Sequence, residues 1–432
     1  MREDGATIIA LSSGSPPAAI GVVRISGDKA GWALTQLCGT TPPERRASLR
    51  TIRHPETGDV LDQALLLWFP GPRTATGEDL AEIHLHGGRA VVAAVLDTLA
   101  GMNGLRRAEA GEFTRRAFAN GVIDLAQAEG LADLLSAETE SQRRNAQLLT
   151  GGALSRKVAD WEQRLLGLSA RVEAAIEFGD DEDDVGDDPA IRQDLAELAG
   201  DIARDLARPS AEHLKDGIRV VLAGPPNAGK STLLNALVER EAAITSPIAG
   251  TTRDLIQVPV AIAGVPYVFV DTAGLRDAAA DQVESRGVEL AYSAVAAADI
   301  VLWLGEPDAA PDHDRLILIH PRCDLPERHL PRSTIALAVS AQTGVGMSEL
   351  VTRLVTMSSH LVPSGSEIAL NQRQRGALSE SVEYLSNGVQ SPDPVICAEE
   401  LRAARVALDR VTGRAGTEEM LGALFGRFCI GK

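Results

Sequence analysis

The chain has 432 residues, 44% of them apolar, a formal net charge of −18 and four cysteines, Cys38, Cys323, Cys397 and Cys429. That length and apolar content suit about three domains, each with its own core, and the acidic balance excludes a protein that grips nucleic acid over its whole surface, because phosphate binding runs on clustered Lys and Arg. The cysteines lack CxxC spacing, against a structural zinc or a disulfide framework, and with neither a long apolar span nor a signal-peptide start at residues 1–14 a cytoplasmic protein without membrane contact is expected.

In chain order, residues 1–118 mix short apolar runs (20–25, 64–69, 80–86) with turns such as Phe69-Pro70-Gly71-Pro72, a pattern that predicts an α/β domain. From about residue 119 the texture changes. Leu131, Leu134 and Leu135, then Leu165, Leu166, Leu168 and Val172, fall at helical spacing with a break at Gly151-Gly152. The acidic run at 177–184 lacks the alternating ligands and closing Glu of an EF-hand loop and reads as a solvated loop. Residues 189–206 read as a helix, and so do 367–389 and 395–411. The expected organisation is an α/β domain over 1–118, a helical domain in two parts (119–215 and 359–432), and a module inserted between them at 216–358.

Within that module a short apolar strand, 218–223, runs into Gly224-Pro225-Pro226-Asn227-Ala228-Gly229-Lys230-Ser231-Thr232, and Leu233, Leu234, Ala236 and Leu237 follow at helical spacing. Strand, glycine-rich loop, Lys-Ser and helix in register are the context a P-loop requires. Its glycines let backbone N–H groups turn around phosphate oxygens, and the helix N-terminus adds its positive dipole end. Lys230 supplies charge for the outer phosphates and the Ser231 hydroxyl can join a Mg²⁺ shell.

Twenty residues beyond Lys230 comes Gly250-Thr251-Thr252-Arg253-Asp254, and a strand at 267–270 runs into Asp271-Thr272-Ala273-Gly274. This is the order and spacing of a G-protein core. Asp271 suits the outer sphere of Mg²⁺, the Gly274 N–H suits a γ-phosphate, and a threonine in the preceding loop can hold the metal only while that phosphate is present. The base site is less regular. Where an NKxD segment is usual, the strand at 316–319 runs into His320-Pro321-Arg322-Cys323-Asp324. Asp324 can accept from the guanine N–H and exocyclic amine, and Arg322 can lay its stem over the purine. Pro321 replaces the Asn and forfeits a contact worth roughly 0.5–1.5 kcal/mol. Ser340-Ala341 matches the last guanine-contact loop. Only 306–314, rich in Asp and Pro, separates strands at 300–304 and 316–319, so the usual crossover helix is expected to be lost or vestigial. GTP is expected over ATP, at reduced affinity. No arginine finger is evident, and Leu275 stands where a catalytic Gln is common.

These motifs are joined by Ile20-Gly21-Val22-Val23-Arg24-Ile25-Ser26-Gly27, Thr76-Gly77-Glu78-Asp79, His86-Gly87-Gly88, Gly111-Glu112-Phe113-Thr114 with Arg116-Ala117-Phe118, Asp124-Leu125-Ala126-Gln127-Ala128-Glu129 and the terminal Cys429-Ile430-Gly431-Lys432. With them the chain resembles the tRNA modification GTPase family MnmE (TrmE) from end to end. The resemblance implies an N-terminal α/β tetrahydrofolate-binding domain that dimerises, a discontinuous helical domain and an inserted Ras-like P-loop G domain. It implies a GTPase whose hydrolysis drives G-domain closure across a homodimer. With the flavoprotein MnmG, which would carry FAD and NADH, it would place an aminomethyl or carboxymethylaminomethyl group on the wobble uridine of tRNA.

The resemblance also implies K⁺ in the role of an arginine finger, held by Asn227 with oxygens from Ser246, Ile248 and Thr251, while Ser231 and Thr252 hold Mg²⁺. Nucleotide contacts extend over Asn227, Ala228, Gly229, Lys230, Ser231 and Thr232, over Ser246, Pro247, Ile248, Ala249, Gly250, Thr251 and Thr252, and over Asp271, Thr272, Ala273, Gly274, Asp324, Ser340 and Ala341. Glu284, in a V-E-x-x-G context, falls at the water-orienting carboxylate. A formyl- or methylene-tetrahydrofolate is expected near Arg24, Glu82 and Lys432, since a guanidinium and a carboxylate match a pterin's acceptors and donors. Val122 replaces a lysine of some relatives, which lowers the expected folate affinity. Cys429, near Arg427 and Lys432, is assigned a chemical role as acid or thiolate. By residue type alone Asn227 is a loop cap, Glu284 a solvent-facing helix residue and Cys429 a small apolar residue. The alternative function is a regulatory or ribosome-assembly GTPase without modification chemistry. His84 and His86 share a strand face but lack a third metal ligand. Arg106, Arg107, Arg115 and Arg116 form the nearest basic cluster, for tRNA or for pairing with Glu109 and Glu112.

Overall fold

Six strands build the first sheet, with burial alternating along much of β2 and β5: β1 (Thr7–Leu11), β2 (Ile20–Ser26), β3 (Ser48–Arg53), β4 (Val60–Phe69), β5 (Leu80–His86) and β6 (Leu105–Arg107), in spatial order β3-β4-β5-β2-β1-β6. The computed structural model describes residues 5–178, 189–243, 256–272, 292–326, 336–364, 367–414, 422, 424–426, 428 and 430–431. It divides into two compact units, Met1–Ala132 with Thr412–Lys432, and Asp133–Val411.

In the first unit the two-residue period of a strand sends Val23 and Ile25 into a core shared with α1 (Ala30–Cys38) and α2 (Arg89–Ala100), where Leu34, Leu37, Val95 and Leu99 are fully or almost fully buried. Arg24 and Ser26 therefore turn to the opposite face. On that face Ile8 and Ala10 of β1 pack with Ala108 and with Phe113 of α3 (Glu112–Ala119). The chain end returns to the same unit. Phe425 and Phe428 bury against Ala128 of α4 (Leu125–Ser136), Ala110 bridges to Ile430, and Ser12 Oγ donates to Gly431 O at 2.8 Å. Gly431 has φ +99, and a Cβ there would lie 2.1 Å from Leu11 O, so the approach admits only glycine.

The second unit opens with α5 (Glu140–Thr150), α6 (Ala153–Phe178), α7 (Pro189–Leu206) and α8 (Glu212–Lys215). The predicted break at Gly151-Gly152 separates α5 from α6. A sheet follows, built from β7 (Ile218–Ala223), β8 (Ala242–Ala243), β9 (Ile256–Ile262), β10 (Val265–Asp271), β11 (Ile300–Trp303), β12 (Leu316–Pro321) and β13 (Leu337–Val339), in order β13-β12-β11-β7-β10-β9-β8. Strands β7, β10, β11, β12 and β13 pair in parallel and β9 closes onto β10 antiparallel. As parallel strands require, β7 is apolar on both sides. Ile218, Val220 and Leu222 face one core with α9 (Lys230–Arg240) and α10 (Met347–Ser358), and Val221 faces a second with Val270 and Ala294. Between β11 and β12 the described residues hold only a 3-10 turn, Pro307–Ala309, in keeping with the expected loss of the crossover helix.

Two helices, α11 (Gln372–Gln390) and α12 (Pro394–Thr412), follow the sheet. The first begins five residues later than the predicted 367. Asn371 is the reason: its side chain accepts from the Gln374 N–H at 2.9 Å and the Gln374 side chain returns to Asn371 N, a capping box that sets the start. Residues 367–370 instead run outside the helix, with Ala369 N–H on Asn145 Oδ1 at 2.8 Å and Leu370 O accepting from Ala211 N at 3.0 Å. The start of α5 docks on the nucleotide sheet, where Ser141 N–H donates to Gly264 O at 3.0 Å in the β9–β10 turn. Of the acidic run, residues 179–184 lie outside the described residues. Among the described residues no helix is long and apolar enough to cross a membrane.

At the base of the sheet, the His213 ring of α8 meets Asp299 Oδ1 at 2.9 Å, while Asp299 Oδ2 accepts from Arg219 N–H at 2.8 Å. The hydrogen bond and charge of Asp299 raise the His213 pKa against burial and Arg315. Burial would raise the Asp299 carboxyl, but His213 and the Arg219 N–H hold it below the usual value. The sign follows by linkage. The His213 contribution is complete below the unfolded histidine value of about 6.5 and is lost as pH rises through its raised folded value; that of Asp299 is lost as pH falls through its lowered one. The stability advantage of the wild type over His213→Gln in urea denaturation is therefore expected to be largest near pH 5 and to shrink as pH rises beyond about 6.5. An advantage that does not change with pH would contradict this.

Candidate functional site

The carboxyl ends of the parallel strands gather the nucleotide-site residues, as open α/β sheets require. Leaving β7, the chain turns at Gly224 (φ +145), Asn227 (φ +57) and Gly229 (φ +100) before α9 starts at Lys230. The register of β7 against β10 pairs Leu222 with Asp271. That pairing brings the Asp271 carboxylate beside the start of α9, where Ser231 Oγ donates to its Oδ2 at 2.5 Å. Thr272, buried, locks the end of β10 by donating to Leu222 O at 2.8 Å. Lys230 is buried, with its ammonium on Gly224 O and Pro225 O at 3.0 Å each. A hydroxyl and a carboxylate facing each other are an oxygen donor set that suits a hard divalent cation. Asn227 is exposed on its left-handed residue, and among the described residues nothing hydrogen-bonds its carboxamide. Next to the loop, a Cβ on Gly305 would come within 2.8 Å of the Trp303 ring and 2.9 Å of Pro225 Cδ, so indole and P-loop close on one glycine.

A cavity of about 290 Å³ opens beside the P-loop, lined by Thr232, Leu233, Arg322, Asp324, Ala341 and Gln342 among others. That is near the lower end of small-ligand sites, roughly 300–1,000 Å³. Pro321 ends β12 opposite Val339 of β13. Arg322 has φ +60, and its Nε lies 3.6 Å from the position a Cβ on Gly229 would take, so the guanidinium leans on the P-loop. The loop after β13 is held tight. Ser340, fully buried, donates its N–H to Val345 O at 2.9 Å and accepts on Oγ from Thr343 N–H at 3.1 Å. The structure thus brings together Asn227, Ala228, Gly229, Lys230, Ser231, Thr232, Asp271, Thr272, Asp324, Ser340 and Ala341 in one unit. Ser246, Pro247, Ile248, Ala249, Gly250, Thr251, Thr252, Ala273, Gly274, Glu284, Cys429 and Lys432 lie outside the described residues.

In the first unit Arg24 and Glu82, paired across β2 and β5, form an ion pair at 2.8 Å, with His84 Nε2 on the other Glu82 oxygen at 3.2 Å and the guanidinium 5.9 Å from the Phe113 ring centroid. Burial alone would raise the Glu82 carboxyl; Arg24 and His84 outweigh it and hold it below the usual value. His86 pairs with Asp62 instead, at 2.7 Å. Of the arginine cluster, Arg106 binds Glu112 at 2.6 Å, Arg116 binds Glu112 at 3.1 Å and Glu78 at 2.9 Å, Arg107 binds Asp97 at 2.5 Å, and Arg115 lies 3.9 Å from Glu109. Pairing was one of the two readings of that cluster. Sequence reasoning had no role for Ser26 and Thr76, whose hydroxyls are 2.7 Å apart and continue to Glu78 at 2.9 Å; two hydroxyl residues fifty positions apart carry no local signal.

The strand order β13-β12-β11-β7-β10-β9, the P-loop after its central strand and a carboxylate at the end of the neighbouring strand define a P-loop nucleotide-binding protein of the Ras-like G-domain class. Residues 125–429 match the family profile MnmE helical domain and residues 7–122 match GTP-binding protein TrmE N-terminus. The chain belongs to the tRNA modification GTPase MnmE family. It is 56% identical over 428 residues to the tRNA modification GTPase MnmE of Rhizorhabdus wittichii (99% of this chain, 96% of that one). Identity is 55% over 427 residues to that of Erythrobacter litoralis (99% and 100%) and 54% over 436 residues to that of Novosphingobium aromaticivorans (99% and 99%). Among solved structures, the G domain of the T. maritima FeoB iron transporter aligns with 33% of this chain and 98% of its own at 21% identity and a TM-score of 0.25, too low to carry an argument.

Glu112 is the pivot of the arginine network. It is 2% exposed and, although burial would raise its carboxyl, the hydrogen bonds from Arg106 and the Glu109 N–H and the charges of Arg106 and Arg116 hold it below the usual value. Glu112→Ala removes the buried partner of Arg106, while Arg116 keeps Glu78, and is expected to cost about 1.5–3 kcal/mol, the worth of charge-assisted hydrogen bonds, in chemical denaturation. A loss under about 1 kcal/mol, the worth of a surface pair, would show that the network is solvated instead.

Proposed function

We propose that this chain binds GTP with Mg²⁺ at the P-loop, hydrolyses it, and takes part in tRNA modification as its relatives' names state. The observation that carries the reading is the Ser231–Asp271 contact at 2.5 Å beside the buried Lys230, the arrangement that serves a phosphate–metal pair. In this reading Lys230 exchanges the carbonyls of Gly224 and Pro225 for outer phosphate oxygens, while Ser231 and Thr252 hold Mg²⁺ with Asp271 behind them. Bound Mg²⁺ neutralises charge on the phosphates. Asp324 reads the guanine N–H edge and Arg322 covers the ring. Asn227, with an uncommitted side-chain oxygen in the loop, supports K⁺ as the charge that replaces an arginine finger, together with Ser246, Ile248 and Thr251; Glu284 orients the attacking water.

The wider reading follows the family. Domains at 1–118, 119–215 with 359–432, and 216–358 act as folate-binding and dimerising domain, helical domain and G domain. Arg24 and Glu82, already a partly exposed ion pair, match the donors and acceptors of a tetrahydrofolate pterin, with Lys432 on the tail. Cys429 supplies acid or thiolate chemistry. A homodimer works with the flavoprotein MnmG on the tRNA wobble uridine.

Turnover of GTP by the full chain is expected to be about 10²-fold faster in K⁺ than in Na⁺ at equal ionic strength, the lower end of what one transition-state-stabilising group contributes. Glu284→Gln is expected to bind nucleotide normally and to lose about 10²–10⁴-fold in kcat, the range for a general base. Equal rates in both cations would remove K⁺ from the mechanism, and unchanged turnover in the variant would remove Glu284. For the tRNA half, Cys429→Ser should keep GTP turnover and lose wobble-uridine modification, measured by nucleoside analysis of tRNA from complemented cells. Full modification by that variant would favour a regulatory GTPase.

A further inference from the structure

The base cavity has lost one donor, and beside Thr232 of α9 it keeps three further uncommitted polar side chains on its walls. Pro321, at the end of β12, has neither a side-chain donor nor an N–H. Arg322, Asp324 and Gln342 line the cavity, and among the described residues none of their side chains is engaged in a hydrogen bond. Their placement separates their uses. The Arg322 Nε lies 3.6 Å from the position of a Cβ on Gly229, which puts the cation against the P-loop, over the face of a bound ring rather than at its edge. Asp324 is an acceptor only, so it takes the N–H edge. A purine seated that way turns its N7 toward the remaining wall, which is the loop after β13.

On that loop Gln342 carries the same functional group as the missing Asn, one methylene longer. It follows Val339, the residue paired with Pro321, by three positions, so the two flank one cavity from neighbouring strand ends. Its loop is fixed: Ser340 is tied to Val345, Thr343 and Gly344, and Gly346, at φ +75, lies so close to Ala338 O that a Cβ would sit 2.0 Å from it. We propose that Gln342 is a specificity residue of the nucleotide site, its carboxamide N–H donating to purine N7 in place of the asparagine that Pro321 displaces. This rests on the guanine-nucleotide reading above.

The test measures binding of GDP, of 7-deaza-GDP, in which N7 is a C–H, and of ADP to the full chain and to Gln342→Ala and Gln342→Glu. Both variants alter an exposed loop side chain and neither offers a donor when ionised or truncated. The wild type is expected to bind GDP roughly 3- to 10-fold more tightly than 7-deaza-GDP, the worth of one neutral hydrogen bond. Gln342→Ala should bind the two ligands equally, at the wild-type affinity for 7-deaza-GDP, and Gln342→Glu, whose carboxylate is an acceptor only, should bind GDP no more tightly than 7-deaza-GDP. A wild type indifferent to the deaza substitution, or variants that retain the difference, overturns the assignment of Gln342. A wild type that binds ADP as well as GDP overturns the guanine reading itself, a distinct result.

Discussion

One backbone register, Leu222 of β7 opposite Asp271 of β10, is the constraint on which the nucleotide end of the molecule depends. A slip of one residue would turn Asp271 to the other face of the sheet and leave Ser231 facing an apolar side chain. The register is held from both sides. Val220, Leu222 and Phe269 are fully buried in one core, Val221 and Val270 in the other, and Thr272 pins the strand end to Leu222 O. Packing of entirely apolar residues therefore sets the distance between a hydroxyl and a carboxylate. The chemistry is placed by groups that take no part in it.

Ionised side chains in the first unit obey a different logic. Glu82 and Glu112 are both drawn out of solvent, which by itself opposes their charge, and in each case arginine partners more than restore it. The ion pairs do not have the same work. Glu112 joins Arg106 and Arg116 at 2% exposure and holds α3 to β6. Arg24 and Glu82, on the sheet face opposite the α1–α2 core, stay partly accessible.

Much of the fold was legible because its signals are local. Strand β7, strand β5 and helix α7 begin and end where a change of residue type or a Gly, Pro or Asn marks the boundary, and the Gly-Gly pair after α5 breaks the helices where expected. What could not be read is non-local. Ile368-Ala369-Leu370 continues a helical pattern in sequence, yet Asn145 and Ala211 claim its backbone and Asn371 restarts the helix. The docking of Gly431 on Leu11 depends on a contact across almost the whole chain. The P-loop turn between β7 and α9 is legible because it is a contiguous motif, whereas Gln342 is one exposed amide among many until it is seen to line one cavity with Pro321. The arginine cluster is open in sequence to two readings, tRNA contact or pairing, because the acids that it meets, Glu78, Asp97 and Glu112, are selected by tertiary proximity.

The crowding at Gly305 has an optical consequence. Of the four tryptophans, Trp32 lies in α1, Trp68 in β4 and Trp161 in α6, and Trp303 alone shares its contact with the P-loop, through Gly305 and Pro225. Its indole N–H is fixed on Glu306 O at 2.8 Å, so its emission responds to the environment of the ring rather than to its own rotation. With Trp32, Trp68 and Trp161 replaced by phenylalanine, the protein becomes its own fluorophore for the state of the phosphate-binding loop, readable without a dye or a labelled nucleotide.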